Sequence, residues 1–328
     1  MDSTPMADIG VAFDGRAPIA TIGDQARLAE AGGATTLWIA CHLFLRDPVT
    51  TAALALSATT RIRVALMAMS PYSVHPVFAA MAAATLDEMF PGRVTLCLGV
   101  GAPADLAAAG IAAPKPLATL SEAIALSRAL LGGEPVRHRG EIFQVADRRL
   151  INGAGRVPIV LAASGPQMLE LAGRAADGVL ISAATSVKFV RWCLDHVERG
   201  AAGRKVATCA IVYTGVAARA ADANDKLRRK VGFVLRGAHH ARNLALAGTR
   251  LDQAALAAAY QAEDWAAVDR LVDDAVLRNH AASGTPDEVR AAYAAYHAIG
   301  LDEVIVGGAD APDDVRDALA ALGPLKSK

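Results

Sequence analysis

The chain is expected to adopt an α/β fold, a closed parallel barrel of eight strands carrying a helical insertion after the seventh. Three observations predict it. Eight short apolar segments alternate with segments of helical spacing along most of the sequence. The apolar segments are continuous runs rather than alternating ones, as strands buried on both faces are. The length, 328 residues, suits a barrel with an insertion, and eight is the strand number that closes one. On pattern alone an open doubly wound sheet is the alternative. No linker, repeat or low-complexity stretch divides the chain, so residues 1–328 read as one domain.

The elements follow in order. Ile9 to Phe13 is a first strand. Ile22 to Ala31 has helical spacing and stops at Gly32-Gly33. Thr36 to Ala40 is a second strand, and Pro48 to Ala58 a helix with proline in its first turn. Arg63 to Met69 is the third strand, Pro76 to Met89 a helix and Val94 to Leu98 the fourth strand. A helix at Leu120 to Leu131 precedes a Gly- and Arg-rich stretch, 132–157, that breaks the rhythm. Its alternating piece, Glu141 to Val145, reads as part of a hairpin.

The rhythm then resumes. Pro158 to Ala162 is strand five, Gln167 to Ala175 a helix, Gly178 to Ile181 strand six, Val187 to Glu198 a helix and Val206 to Val216 strand seven. From Ala220 to Ala282 the chain is rich in alanine and charge, with helical spacing and no strand pattern. Two to four inserted helices are expected there. Pro286 to Ile299 is a helix, Glu303 to Val306 the eighth strand and Pro312 to Leu322 the closing helix.

Composition narrows the function. Lys and Arg total 33, as do Asp and Glu, so no basic field draws nucleic acid or an anionic membrane. No apolar stretch is long enough to span a bilayer, and no signal peptide is visible. The cysteines, Cys41, Cys97, Cys193 and Cys209, form no CxxC pair, which fits a reduced cytoplasmic protein. No metal-ligand spacing occurs, because His239 and His240 are adjacent and do not share a helix face. A G-x-S-x-G nucleophile elbow is absent.

In α/β proteins ligands bind at the carboxyl ends of the strands. Unusual backbone chemistry gathers there: Ser70-Pro-Tyr72 with His75-Pro76, Gly99-Val-Gly101, and Ala163-Ser-Gly-Pro166. The glycines fit the loose G-x-G-x-x-A dinucleotide pattern with Ala104. They follow the fourth strand, however, whereas that fingerprint belongs to the first strand of its unit, and Pro103 interrupts it. Amides at the helix start after Ser164, with its hydroxyl, make an anion site, or else Ser164 is a plain N-cap. Lys226, Arg228, Arg229, Lys230, Arg236, His239, His240 and Arg242 form a basic run, read as a solvated helix face or as a lid over an anionic ligand.

These pieces, in this order, resemble the luciferase-like monooxygenase family, and most closely its deazaflavin-dependent reductases. The resemblance is carried by Leu37 to His42 with Arg46-Asp-Pro48, Thr60-Arg-Ile-Arg63, and Ser70-Pro-Tyr72. Thr85-Leu-Asp87 with Gly92-Arg93, Gly99-Val-Gly101, Glu122 to Phe143, and Pro158 to Pro166 with Ala176-Asp-Gly178 add to it. It implies a (β/α)8 TIM barrel, usually a homodimer, that binds reduced deazaflavin coenzyme F420 or FMN for redox chemistry on a small organic substrate. A non-catalytic flavin-binding protein of the same fold is one alternative. A nicotinamide dehydrogenase on an open sheet is the other.

By the same resemblance His42 lies near the reactive ring, where a near-neutral imidazole suits proton transfer. A structural histidine at a strand end is the other reading. The family has Asp-His here, and Cys41 replaces the acid. Ala68, Met69 and Ser70 occupy the place where relatives carry a non-prolyl cis peptide behind the ring. Gly99, Val100 and Gly101 admit the cofactor's side chain. Ala163, Ser164, Gly165, Pro166 and Ser182 take its phosphate. His75 reads as mainly structural.

Overall fold

The computed structural model describes residues 8–153, 155–181 and 183–323. In chain order the elements are β1 Asp8–Phe13, α1 Ile22–Ala31, β2 Thr36–Ala40, α2 Pro48–Ala58, β3 Arg63–Met69, α3 Pro76–Met89 and β4 Val94–Leu98. Next come α4 Pro103–Ala108, α5 Pro116–Leu131, β5 Val136–Arg139, β6 Gln144–Arg148, β7 Ile159–Ala162, α6 Pro166–Ala175, β8 Gly178–Ile181, α7 Val187–Ala201 and β9 Ala207–Val216. The last are α8 Ala220–Leu235, α9 Ala241–Ala247, α10 Gln253–Gln261, α11 Trp265–Leu271, α12 Asp274–His280, β10 Ala282–Gly284, α13 Pro286–Ala298, β11 Glu303–Gly307 and α14 Pro312–Leu322.

The parallel strands run β1-β2-β3-β4-β7-β8-β9-β11 and close where β11 pairs with β1. Closure disposes of the open-sheet alternative. A first cluster of apolar side chains lies between strands and helices, among them Ile9, Leu37, Val64, Leu96, Ile159 and Val304. A second fills the barrel: Trp38, Ala65, Cys97, Val160, Leu180, Cys209, Ile211 and Ile305. Glu303 is buried inside the barrel near its amino end, accepting a hydrogen bond from Trp38 Nε1 at 2.9 Å. Burial pushes its carboxyl above the ordinary range.

Several expected boundaries move, and the chemistry says why. Proline at N1 opens α5 at Pro116, one turn before the apolar spacing that starts at Leu120. It likewise opens α6 at Pro166 rather than Gln167. The hairpin exists, but Glu141 to Phe143 is its turn and not a strand, flanked by β5 and β6. Glu122 shapes that turn by accepting from the amides of Glu141, Ile142 and Phe143 at 2.8–3.0 Å. The insertion holds five α-helices, more than expected. It is followed by the short strand β10, which pairs with Thr214 to Val216 of β9. The insertion has its own apolar centre, including Leu227, Leu256, Val268 and Leu277.

At the amino end of the barrel, carboxylates tie the turns that precede strands. Glu30 accepts from the amides of Arg61 and Ile62 at 2.7 and 2.8 Å, Asp87 from Gly92 at 2.9 Å, and Asp177 from Ile159 at 2.8 Å. Arg93 donates to Ile62 O and to Thr59 Oγ1. Much of what makes Thr60 to Arg63, Asp87, Arg93 and Asp177 distinctive is therefore structural. In barrels of this type residues at this end serve stability and those at the opposite end serve chemistry.

Candidate active site

The carboxyl ends of β2, β3, β4 and β7 are consecutive around the barrel, so the loops after them share one rim. That order brings His42, Ala68 to Ser70, Gly99 to Gly101 and Ala163 to Pro166 together. Ser182 lies outside the described residues.

His42 stands two residues past β2, its side chain half exposed. Asp105 Oδ2 faces its Nδ1 at 3.4 Å. The acid expected beside the histidine in sequence thus comes instead from α4, a short helix that sequence reading does not find. Cys41 packs among core residues and is half-buried. Burial, with Asp47 nearby, pushes its thiol up to about 11. A neutral thiol there is a small hydrophobe, not a nucleophile.

The Met67–Ala68 peptide is cis, and the register of β3 on β4 shifts between Leu66 and Met69. Gly99 is required beside it. A Cβ at Gly99 would stand 2.9 Å from Ala68 Cβ and 3.2 Å from Ala162 Cβ. Gly101 has φ +95°, a conformation L side chains rarely adopt. Ser70 is buried, and its hydroxyl donates to Val100 O at 2.6 Å. It therefore ties two rim loops to each other. Met69 is buried in the main core. His75 caps α3, with Nδ1 accepting from Val77 N, as the structural reading has it.

Ala163 donates its amide to Leu180 O, linking the β7 and β8 ends. The cap of α6 is Gly165, with no side chain capping the helix. Ser164 as a plain N-cap is corrected accordingly. Pro166 has no amide proton, so the amides of Gln167 and Met168 are the ones left without a partner inside the helix.

The mouth itself is lined by small side chains. Ala12, Ala68, Ala162 and Ala183, with Met67 and Tyr213, pack on the barrel interior from above. The four alanines of this layer occupy less volume than longer side chains would. A cleft at the β1 and β11 ends continues it, lined by Phe13, Asp14, Arg46 and Asp310. Tyr213 is a further residue that sequence reading misses. Burial, and then the carboxylates of Asp310 and Asp14, push its hydroxyl up to about 12.

The basic run resolves into ion pairs. Lys226 meets Asp314, Arg228 meets Asp225 and Asp274, and Arg229 meets Asp269. Arg236 stacks on Phe233 and Arg242 on Trp192. Lys230 of this set reaches the rim, at Gly308 O and Asp310. Among the described residues no group of three or more His, Cys, Asp or Glu side chains is placed to hold a metal ion.

Comparison with known proteins agrees with this architecture. The family profile described as luciferase-like monooxygenase matches residues 4–303. The chain is 31% identical over 313 residues to a 5,10-methylenetetrahydromethanopterin reductase of Methanolobus tindarius, covering 93% of this chain and 95% of that one. The corresponding reductase of Archaeoglobus fulgidus is 29% identical over 88% of this chain and 89% of its own. Among solved structures, the coenzyme F420 dependent tetrahydromethanopterin reductase from Methanopyrus kandleri superposes with a TM-score of 0.89 at 23% identity, covering 98% of each chain. An F420-dependent secondary alcohol dehydrogenase superposes with a TM-score of 0.79 at 19% identity, over 97% of this chain and 99% of that one. With a closed (β/α)8 barrel, a rim built from its carboxyl-end loops and a profile match over most of its length, this chain belongs to the luciferase-like monooxygenase family and is an oxidoreductase.

Proposed function

We propose that the chain binds the reduced deazaflavin coenzyme F420 at the barrel mouth and uses it to exchange a hydride with a small organic substrate. The observation that carries this is the mouth of alanines above the filled interior, with Gly99 pressed against Ala68 on one side of it. Monooxygenases superpose over the whole chain as well, but the F420-dependent enzymes superpose better and the full-length sequence relatives are reductases, which favours the deazaflavin over FMN. When bound, the coenzyme supplies the hydride.

The chain's own residues bind, orient and hold protons. Ala68 and Gly99 limit how deep a ring sits, Val100 and Gly101 border its side chain, and the free amides after Gly165, with Ser164, suit its phosphate. His42 holds the proton at the substrate. Asp105, facing Nδ1, fixes the imidazole's orientation and leaves Nε2 for that task. The non-catalytic alternative rests on the missing acid at Cys41, and Asp105 removes that ground.

Titrating the purified protein with F420 and with FMN, followed by fluorescence, tests the assignment. F420 is expected to bind with a dissociation constant on the order of 1–10 μM, about −7 to −8 kcal/mol. FMN is expected to bind at least about tenfold more weakly. Tighter binding of FMN moves the chain to the flavin branch, and binding of neither overturns the site.

We further infer a homodimer and a cytoplasmic setting. Leu54 on α2 and Phe78, Met81 and Met89 on α3 are exposed on neighbouring helices, more apolar surface than an isolated barrel needs. The four cysteines are free thiols, and no described helix is long and apolar enough to cross a membrane. The insertion is read as part of the barrel domain. Light scattering on a sizing column should give twice the chain mass, and the double variant Phe78→Glu, Met81→Glu the single mass. A monomeric wild type at micromolar concentration ends the dimer reading.

A further inference from the structure

The insertion reaches back to the mouth on both sides of β9. On the β8 side it grips the lip Ala183 to Ser186. Ala184 O accepts from two side chains, Asn243 Nδ2 of α9 at 2.7 Å and His280 Nδ1 of α12 at 3.1 Å. Asn243 Oδ1 in turn accepts from Ser186 N at 3.0 Å, so one amide side chain spans the turn. Tyr296 of α13 donates to Thr185 O at 2.6 Å. Ala184 itself has φ +54°, a left-handed conformation that favours glycine.

The protons in this network follow from its acceptors. A carbonyl only accepts, so His280 carries its proton on Nδ1. Nε2 then accepts from the Thr249 hydroxyl at 2.9 Å, and Thr249 Oγ1 accepts from Asn279 Nδ2 at 2.9 Å. Asn243 is 0% and His280 1% exposed. Water cannot replace a partner removed at that depth. On the β11 side Lys230 Nζ donates to Gly308 O at 2.6 Å and pairs with Asp310 at 2.7 Å.

Packing alone does not call for this. The apolar centre of the insertion already takes in Ala184 of the lip through its methyl group, and an asparagine and a histidine buried against that residue's backbone add shape, not core. Ala183 belongs to the mouth layer, and the β8 end is joined to the β7 loop through Ala163 N and Leu180 O. We propose that the insertion is a clamp on the mouth, in which Asn243 and His280 are positioning residues that hold the Ala183 to Ser186 lip in the shape the coenzyme requires. The proposal rests on the deazaflavin reading for its ligand, but not for the clamp itself.

The test uses the full chain and four variants: Asn243→Ala, His280→Ala, His280→Asn and Val268→Ala. F420 affinity, thermal stability and hydrogen exchange of the 183–186 amides are read for each. Asn243→Ala and His280→Ala are expected to weaken F420 binding about tenfold or more and to speed exchange at the lip by a similar factor. His280→Asn keeps a donor near the Nδ1 position and recovers part of both. Val268→Ala cuts into the centre of the insertion, so it lowers stability but leaves lip exchange and F420 affinity near wild type. Equal losses in Val268→Ala and Asn243→Ala, or unchanged lip exchange in Asn243→Ala, overturn the clamp. A wild type that fails to bind F420 overturns the coenzyme reading, and lip exchange still decides the clamp.

Discussion

Replacing Gly99 by alanine is expected to weaken F420 binding about a hundredfold, about 2.7 kcal/mol, while the barrel still folds. One methyl group suffices because there is no room for it. Its Cβ would lie 2.9 Å from Ala68 Cβ and 3.2 Å from Ala162 Cβ, and both neighbours are backbone-anchored methyls that cannot swing aside. β3, β4 or β7 must move at the rim, and with it the surface the ring rests on. Overpacking of this kind costs about 1–3 kcal/mol of stability. Ile151→Ala, at a fully exposed side chain in the segment leading into β7 and away from the rim, serves as the control. Fluorescence titration with circular dichroism checks the result, and an affinity within about threefold of wild type contradicts it.

A second large effect is expected with acid. Burial, which is the main cause for both, pushes His240 and His280 down to about 4, with His239 and His280 also acting against charge on His240. In the unfolded chain these imidazoles take protons near pH 6.5. The folded chain refuses them until about pH 4, so the unfolded state binds more protons across that window. Stability is therefore lost as the pH falls through it. From pH 7 to pH 5 each group removes about 2 kcal/mol. Glu303, held above its ordinary range, works in the opposite direction over part of the same window. The carboxylates held low, such as Glu30 and Glu122, matter only at lower pH. Urea unfolding at both pH values, for wild type and His280→Asn, isolates the histidine. The variant should lose about 2 kcal/mol less, and parallel losses would refute the assignment.

The eight barrel strands are legible because each is a short apolar run bounded by turn residues, and closure follows from their number. The helix starts are legible wherever proline marks N1, which is also where apolar spacing misleads, as at Leu120. The insertion's extra helices carry a local signal too. Asp252, Asp264 and Asp273 each cap a helix by accepting from an amide three residues on. Alanine-rich spacing hides those breaks. β10 has no propensity of its own, since Ala-Ser-Gly becomes a strand only because β9 runs on beside it.

The site is legible to a lesser degree. Glycines and prolines at strand ends mark the rim, because backbone chemistry is local. Asp105, Asn243 and His280 do not show, because each works across a gap that only the closed barrel and the folded insertion bridge. The quoted motifs themselves divide between the two ends of the barrel. Asp87, Arg93 and Asp177 brace turns, while His42, Gly99 and Ser164 face the rim, and residue type alone does not separate them.

Trp38 sits in the barrel interior with its indole held by Glu303, whereas the other two tryptophans, Trp192 and Trp265, lie on helices outside. A coloured ring bound at the mouth would come within about a strand's length of that buried indole, since β2 carries Trp38 and ends at the rim. The molecule thereby carries its own optical gauge: quenching of the blue-shifted, solvent-shielded part of its ultraviolet emission would report occupancy without any added label.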